Sequence, residues 1–176
     1  MTRLSLFAAA ILLSVPIMAQ TRDPFVGRWA LDTRQSKYPQ VACPKQMTIE
    51  MTTVGDAIHY HSVTVLENGT AFSADYTASY NDVPTMVTGA KGVLLPVSLH
   101  KDSTNEVTAS YKSGFETRAT SRRVVSEDGK TMTVTTTSHD GAGNVSKNIG
   151  VYRKIDAAPK VSFDLSKANV SLEPAK

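Results

Sequence analysis

A chain of 176 residues with 19 Lys and Arg against 16 Asp and Glu carries a formal charge of +3, and its basic residues are scattered along it. Near-balanced, dispersed charge leaves no electrostatic footprint for nucleic acid. A single cysteine, Cys43, rules out an internal disulfide, so a fold of this length must draw its stability from packing.

The chain opens on one positive charge, Arg3, followed by an apolar run from Leu4 to Val15 and the small residue Ala19. This pattern predicts a secretory signal peptide over residues 1–19, with an apolar run too short to span a bilayer comfortably. No cysteine stands at the expected new N-terminus, so no stable membrane anchor is expected after cleavage. Cleavage removes Arg3 and no acid, leaving 18 basic against 16 acidic residues in about 155 residues. The expected organisation is one domain over 20–154 and a tail over 155–176. In that tail only Val161, Phe163 and Leu165 suggest an extra strand.

Pro24 suits the lead-in to a first strand, because it has no N–H to give a sheet. Gly27 allows a close backbone approach, and Trp29 and Leu31 share one strand face. Thr33 to Pro44 reads as a polar loop whose one large residue is Tyr38. Met47, Ile49 and Met51 then alternate with polar residues, the mark of a half-buried strand. Val54-Gly55-Asp56 turns it into a strand from Ala57 to Leu66, and Glu67-Asn68-Gly69 turns that one. The clearest alternation runs from Thr70 to Tyr80, with Phe72, Ala74, Tyr76, Ala78 and Tyr80 on one face. Val93, Leu95, Val97 and Leu99 also alternate, but Pro96 demands an edge, a bulge or a break there. Strands are expected over Glu106–Lys112, Thr117–Ser126, Thr131–Ser138 and Val145–Lys154, joined by Gly- and Asp-rich turns.

No helical period appears between the leader and the tail. Eight to ten short strands joined by hairpins predict an all-β fold, an antiparallel up-and-down barrel, since closure removes exposed edges. A β-sandwich is the rival architecture.

Gly27-Arg28-Trp29 at the start of a meander resembles the calycin superfamily of lipocalins and fatty-acid-binding proteins. Asp23 to Asp32, with Ser36-Lys37-Tyr38 behind and Asp128-Gly129-Lys130 further on, resembles small exported bacterial lipocalin-like proteins. The resemblance covers about residues 23 to 154 and implies a barrel with a small-molecule interior. It also implies that Gly27, Trp29 and Arg153 close one end, with the guanidinium on the indole. The final strand departs from the fatty-acid-binding pattern: Gly150 stands where that group carries a ligand-holding arginine, while Tyr152 is retained.

Several residues are candidates for chemistry. Tyr60, Phe72, Tyr76, Tyr80, Tyr111 and Tyr152 would line a cavity, although a filled core would use the same residues. Arg122 and Arg123 precede the Glu127–Lys130 turn, and the turn decides which faces inward. A three-residue loop sends Arg122 in; a two-residue Asp128-Gly129 loop shifts the register by one and sends Arg123 in. His59 and His61 share a strand face, but a metal site would need a third ligand from His100, His139 or a carboxylate. No metal or cofactor is expected, and hydrogen-bonded strand histidines are the simpler reading. No nucleophile elbow, zinc-protease or phosphate-loop pattern occurs, so no enzymatic activity is expected. The expected function is binding of a small apolar or amphipathic molecule inside an exported barrel. The alternative is a filled barrel whose loops hold or inhibit a protein partner in the cell envelope. Oligomeric state is not legible.

Overall fold

The computed structural model describes residues 23–39, 43–90 and 94–155. The expected signal peptide and the proposed strand around Phe163 lie outside them. Within them are nine antiparallel strands: β1 Gly27–Leu31, β2 Gln46–Val54, β3 Ala57–Val65, β4 Ala71–Ser79, β5 Val97–Ser103, β6 Glu106–Ser113, β7 Glu116–Val125, β8 Thr131–His139 and β9 Val145–Ile155. Their order in the sheet is β4-β3-β2-β1-β9-β8-β7-β6-β5. Every neighbour pair is thus a hairpin except β1 with β9, whose pairing joins the first strand to the last. This is the expected meander, curled into a nearly closed barrel.

The remaining opening lies between β4 and β5, and a short strap fills it. Thr85 pairs with Val97 on β5, and Thr88 pairs with Asp75 on β4. Ala90 N donates to Ser73 Oγ at 2.9 Å, and Ser73 N donates to Ala90 O at 3.1 Å. The strap lies so close to β4 that a Cβ on Gly89 (φ +155°) would fall 1.9 Å from the Ser73 carbonyl oxygen. These contacts cover two strand edges that would otherwise offer free N–H and C=O groups.

At Pro96 the alternating run breaks, as the proline requires. β5 begins only at Val97, and Pro96 stands just outside it, its carbonyl accepting from Lys112 N at 3.1 Å. Without an N–H, Pro96 cannot continue the ladder toward Leu95.

One barrel end is packed solid. Trp29 is fully buried, and Phe25, Met51, Leu99 and Met132 belong to the same core. The indole Nε1 donates to Phe25 O at 2.9 Å, which satisfies its only polar atom. The cation over the ring is Lys154, its Nζ 4.8 Å from the ring centroid, and not Arg153. Strand parity explains the correction. Trp29 pairs directly with Lys154 in the β1–β9 register, while Arg153 pairs with Ala30 and points outward. There Arg153 bonds Thr131 Oγ1 at 2.9 Å and lies 3.7 Å from Asp32. Gly27 does serve this end, because a Cβ there would come within 2.7 Å of the Lys154 chain.

Two outcomes follow from this packing. Trp29→Ala should destabilise the fold by about 3–5 kcal/mol, the range for a large buried aromatic. Lys154→Ala should cost less, about 0.5–1 kcal/mol, and shift the tryptophan emission, whereas Arg153→Ala should leave that emission unchanged. Chemical denaturation followed by fluorescence measures all three. Gly89→Ala should lift the strap from β4, costing on the order of 1–3 kcal/mol. Amide exchange should then accelerate at Asp75 and Thr88 before it does in β8.

Candidate ligand-binding site

The β7–β8 hairpin decides which arginine enters the barrel. Ser126 N bonds Thr131 O at 2.8 Å, Gly129 N bonds Ser126 O at 2.8 Å, and Gly129 takes a left-handed φ of +67°. This four-residue loop pairs Val125 with Met132 and Arg123 with Val134. The register is the one a tight Asp128-Gly129 turn would give. Met132 and Val134 are buried, so Arg123 faces inward and Arg122 outward. Arg122 is therefore not a ligand-binding residue: it forms a two-pronged pair with the Glu106 carboxylate, one arm at 2.6 Å, on the outer surface.

Arg123 is the only charged side chain among the buried described residues, at 4 % exposure. Its Nη2 donates to the Tyr76 hydroxyl at 2.9 Å and to the Tyr111 hydroxyl at 3.2 Å. Its guanidinium carbon lies 4.8 Å above the centre of the Tyr60 ring. Tyr60 pairs with Tyr76 across β3 and β4, and their rings stack at 4.7 Å and 13°. Burial pushes both phenols above their ordinary pKa, and the nearby Arg123 charge only partly offsets it. They are therefore neutral at physiological pH. Burial alone would weaken the guanidinium's hold on its proton, but the surrounding phenol oxygens outweigh it and its pKa is raised.

A guanidinium carries five N–H donors, and Nη2 uses two of them on these phenols. Nε and Nη1 have no protein acceptor among the described residues. The Arg123 side chain lines open space inside the barrel. That space is a cavity of about 220 Å³ lined by Tyr38, Met47, Ile49, Tyr60, Tyr111, Ser121, Arg123, Val134, Thr136, Asn148 and Tyr152. Ser121 Oγ and Thr136 Oγ1 are hydrogen-bonded to each other at 2.7 Å, and the Tyr152 hydroxyl contacts Met47 Sδ at 3.1 Å.

Tyr38 enters from the β1–β2 loop. Lys37 and Ile149 exchange backbone hydrogen bonds of 2.7 and 2.8 Å, and Val151 N donates to Ser36 Oγ at 2.9 Å. The loop is thereby laid along β9, and the Tyr38 hydroxyl comes to 3.5 Å from that of Tyr152. A Cβ at Gly150 would lie 2.7 Å from the Tyr38 hydroxyl and 2.7 Å from the Tyr152 ring. The position where the resembled family carries an arginine is thus overlaid by the Tyr38 and Tyr152 rings, which would have to shift to admit a side chain.

Of the tyrosines read from the sequence, Tyr60, Tyr111 and Tyr152 line the cavity, while Tyr76 stands behind it and holds Arg123. Phe72 and Tyr80 do not line it. Phe72 lies at the far end of β4, opposite Thr64. Tyr80 lies beyond the other end of β4, under Lys101 Nζ at 4.8 Å, where burial and the Asp23 carboxylate raise its pKa. Sequence reasoning passed over Tyr38, Ser121, Thr136 and Asn148. The last three follow from parity once Arg123, Met132 and Tyr152 are set inward; Tyr38 sits in a loop and has no such signal.

A second cleft, of about 440 Å³, opens where β7 begins and β8 ends, lined by Leu95, Ser113, Arg118, Ala119, Ser138, His139 and Gly141. Ala119 and Ser138 are the next inward positions beyond Ser121 and Thr136, so this cleft lies at the barrel mouth. On the outer surface the Asp75 carboxylate sits between two histidines, 3.0 Å from His59 Nε2 and 2.9 Å from His61 Nδ1. Its slight burial works the other way, but these hydrogen bonds hold Asp75 below the usual carboxylate range. Among the described residues no three His, Cys, Asp or Glu side chains are grouped to hold a metal ion.

No protein-family model matches this chain, and no curated protein does. The likeness is to solved structures. The Schistosoma mansoni fatty acid binding protein in complex with arachidonic acid is 18% identical with a TM-score of 0.57, covering 76% of this chain and 97% of its own. The zebrafish ileal bile acid-binding protein complexed with cholic acid is 11% identical with a TM-score of 0.51, covering 75% of this chain and 99% of its own. At these identities the likeness establishes the fold, and the fold is that of the fatty-acid-binding-protein and lipocalin-like barrels.

Proposed function

We propose that this protein binds an anionic amphipathic small molecule inside the barrel, with Arg123 as the anchor for its head group. The observation that carries the reading is a buried guanidinium that lines a cavity, with no carboxylate within 4.0 Å and no acceptor for Nε or Nη1 among the described residues. A buried charge without a counter-charge costs several kcal/mol, and a carboxylate accepting from Nε and Nη1 offsets that cost with paired charge-assisted hydrogen bonds. Tyr60, Ile49, Met47 and Val134 supply apolar and aromatic surface for the rest of the molecule.

Two further points support the reading. The cavity lining offers phenols, hydroxyls, an amide and one guanidinium, groups that can hydrogen-bond a small anionic molecule. Cholic acid and arachidonic acid, carried by the two structural neighbours, are both carboxylic acids. The reading includes export: the apolar run before Ala19 would direct the chain out of the cytoplasm and be removed.

Titration of the exported protein with an anionic fluorescent probe and with its neutral amide of equal size tests the anchor. Arg123→Met should weaken the anion by about 1.5–3 kcal/mol, the worth of a hydrogen bond to a charged group, and change the amide little. Arg122→Ala should change neither. Equal, small effects from both arginines would put the head group elsewhere, and a wild-type barrel that binds neither probe would favour the filled, partner-binding alternative.

A further inference from the structure

The inner chamber is small. A cavity of about 150 Å³ is enough for benzene, so at the same packing about nine non-hydrogen atoms fill 220 Å³. Cavities for drug-sized ligands start at about 300 Å³. A benzoate-sized molecule matches this space; a fatty acid of ordinary chain length would have to extend out of it, toward the mouth cleft.

The residue that makes the chamber small is Tyr38. Its ring comes in from the β1–β2 loop and its hydroxyl stands over Gly150, in space that even a methyl group at that position would contest. The loop cannot drift outward freely, because Lys37 is paired with Ile149 and Ser36 with Val151 on β9. Around Arg123 the lining sets four aromatic rings, Tyr38, Tyr60, Tyr111 and Tyr152, beside the aliphatic Met47, Ile49 and Val134. Flat faces of this kind suit a planar ring by offset or edge-to-face contact. On the same lining, Asn148 presents an amide that a flexible alkyl chain would leave unmatched, while Ser121 and Thr136 bond each other.

We infer that the interior site selects compact aromatic carboxylates and that Tyr38, seated over Gly150, sets the upper limit on ligand size. This rests on the anion-binding reading above and narrows it to a ligand class. Tyr38 acts on specificity through volume: with it in place a long chain has no room beside the head group, and without it the chamber extends toward the barrel mouth.

Calorimetric titration of the full exported chain with benzoate and with dodecanoate, below its micelle-forming concentration, tests the inference. In the wild type, benzoate should bind at least about tenfold more tightly than dodecanoate. Tyr38→Ala should gain about tenfold or more for dodecanoate and lose affinity for benzoate. Tyr38→Leu, which keeps an apolar filler in case the alanine variant unfolds, should move both affinities in the same directions by less. Dodecanoate binding tighter than benzoate in the wild type, with no response to either Tyr38 variant, would overturn the inference. That result would mean the chain leaves through the mouth cleft between Ala119 and Ser138, with the Arg123 anchor intact. Absence of binding by both acids in wild type and variants would instead remove the anion-binding reading itself.

Discussion

A buried guanidinium with no carboxylate partner among the described residues is the constraint around which this barrel is arranged. Arg123 comes from β7 and Tyr111 from β6; Tyr76 and Tyr60 come from β4 and β3. Those pairs of strands stand on opposite sides of the one place where the sheet is not continuous, between β4 and β5. The bond from Nη2 to the Tyr76 hydroxyl therefore crosses the lumen and ties the two free flanks together from inside. Neutral phenols and a ring face soften the cost of the charge. They do not cancel it, and the side of the guanidinium that faces the cavity is where an anion would complete the balance.

The outer side of the same discontinuity is handled by backbone. An unpaired edge is a template for association, and the strap from Thr85 to Ala90 covers it by pairing first with β5 and then with β4. Asp75 belongs to both arrangements. Its backbone exchanges hydrogen bonds with Thr88, and its carboxylate holds His59 and His61 on the outer face. The histidine pair that reads as half a metal site in the sequence is thus part of how β3, β4 and the strap are kept in register. The packed end around Trp29 completes the scaffold, leaving the cavity between a solid floor and the Tyr38 loop.

The fold was largely legible because hairpins and alternation are local or parity properties, and closure was expected because it removes exposed edges. The site was legible in part. Arg122 and Arg123 could not be told apart without the loop length, since a slip of one residue exchanges their faces. The four-residue loop resolved that choice. Placing both Tyr152 and Arg153 inward conflicts with strand alternation, and a family resemblance masked the conflict; parity alone assigns the tryptophan's cation to Lys154. Phe72 and Tyr80 share a face with Tyr76, but a strand of this length runs from mouth to floor, so sharing a face does not put residues in one cavity. Tyr38 was illegible for a different reason. Its position depends on a loop docking against β9 through the Lys37–Ile149 backbone pair and the Ser36 hydroxyl, which no apolar periodicity in Thr33 to Pro44 encodes.

The central claim, that an anion answers the Arg123 charge, has a direct readout in the ionisation of the bound ligand. Benzoate labelled with ¹³C at the carboxyl reports its own protonation through its chemical shift, and the bound form can be followed as the pH is lowered. An opposite charge within hydrogen-bonding distance lowers a carboxyl pKa by about 1–3 units. The account predicts that bound benzoate stays ionised at least about one pH unit below its value in water. A bound pKa equal to or above that of free benzoate would contradict it, because burial without the guanidinium raises a carboxyl pKa.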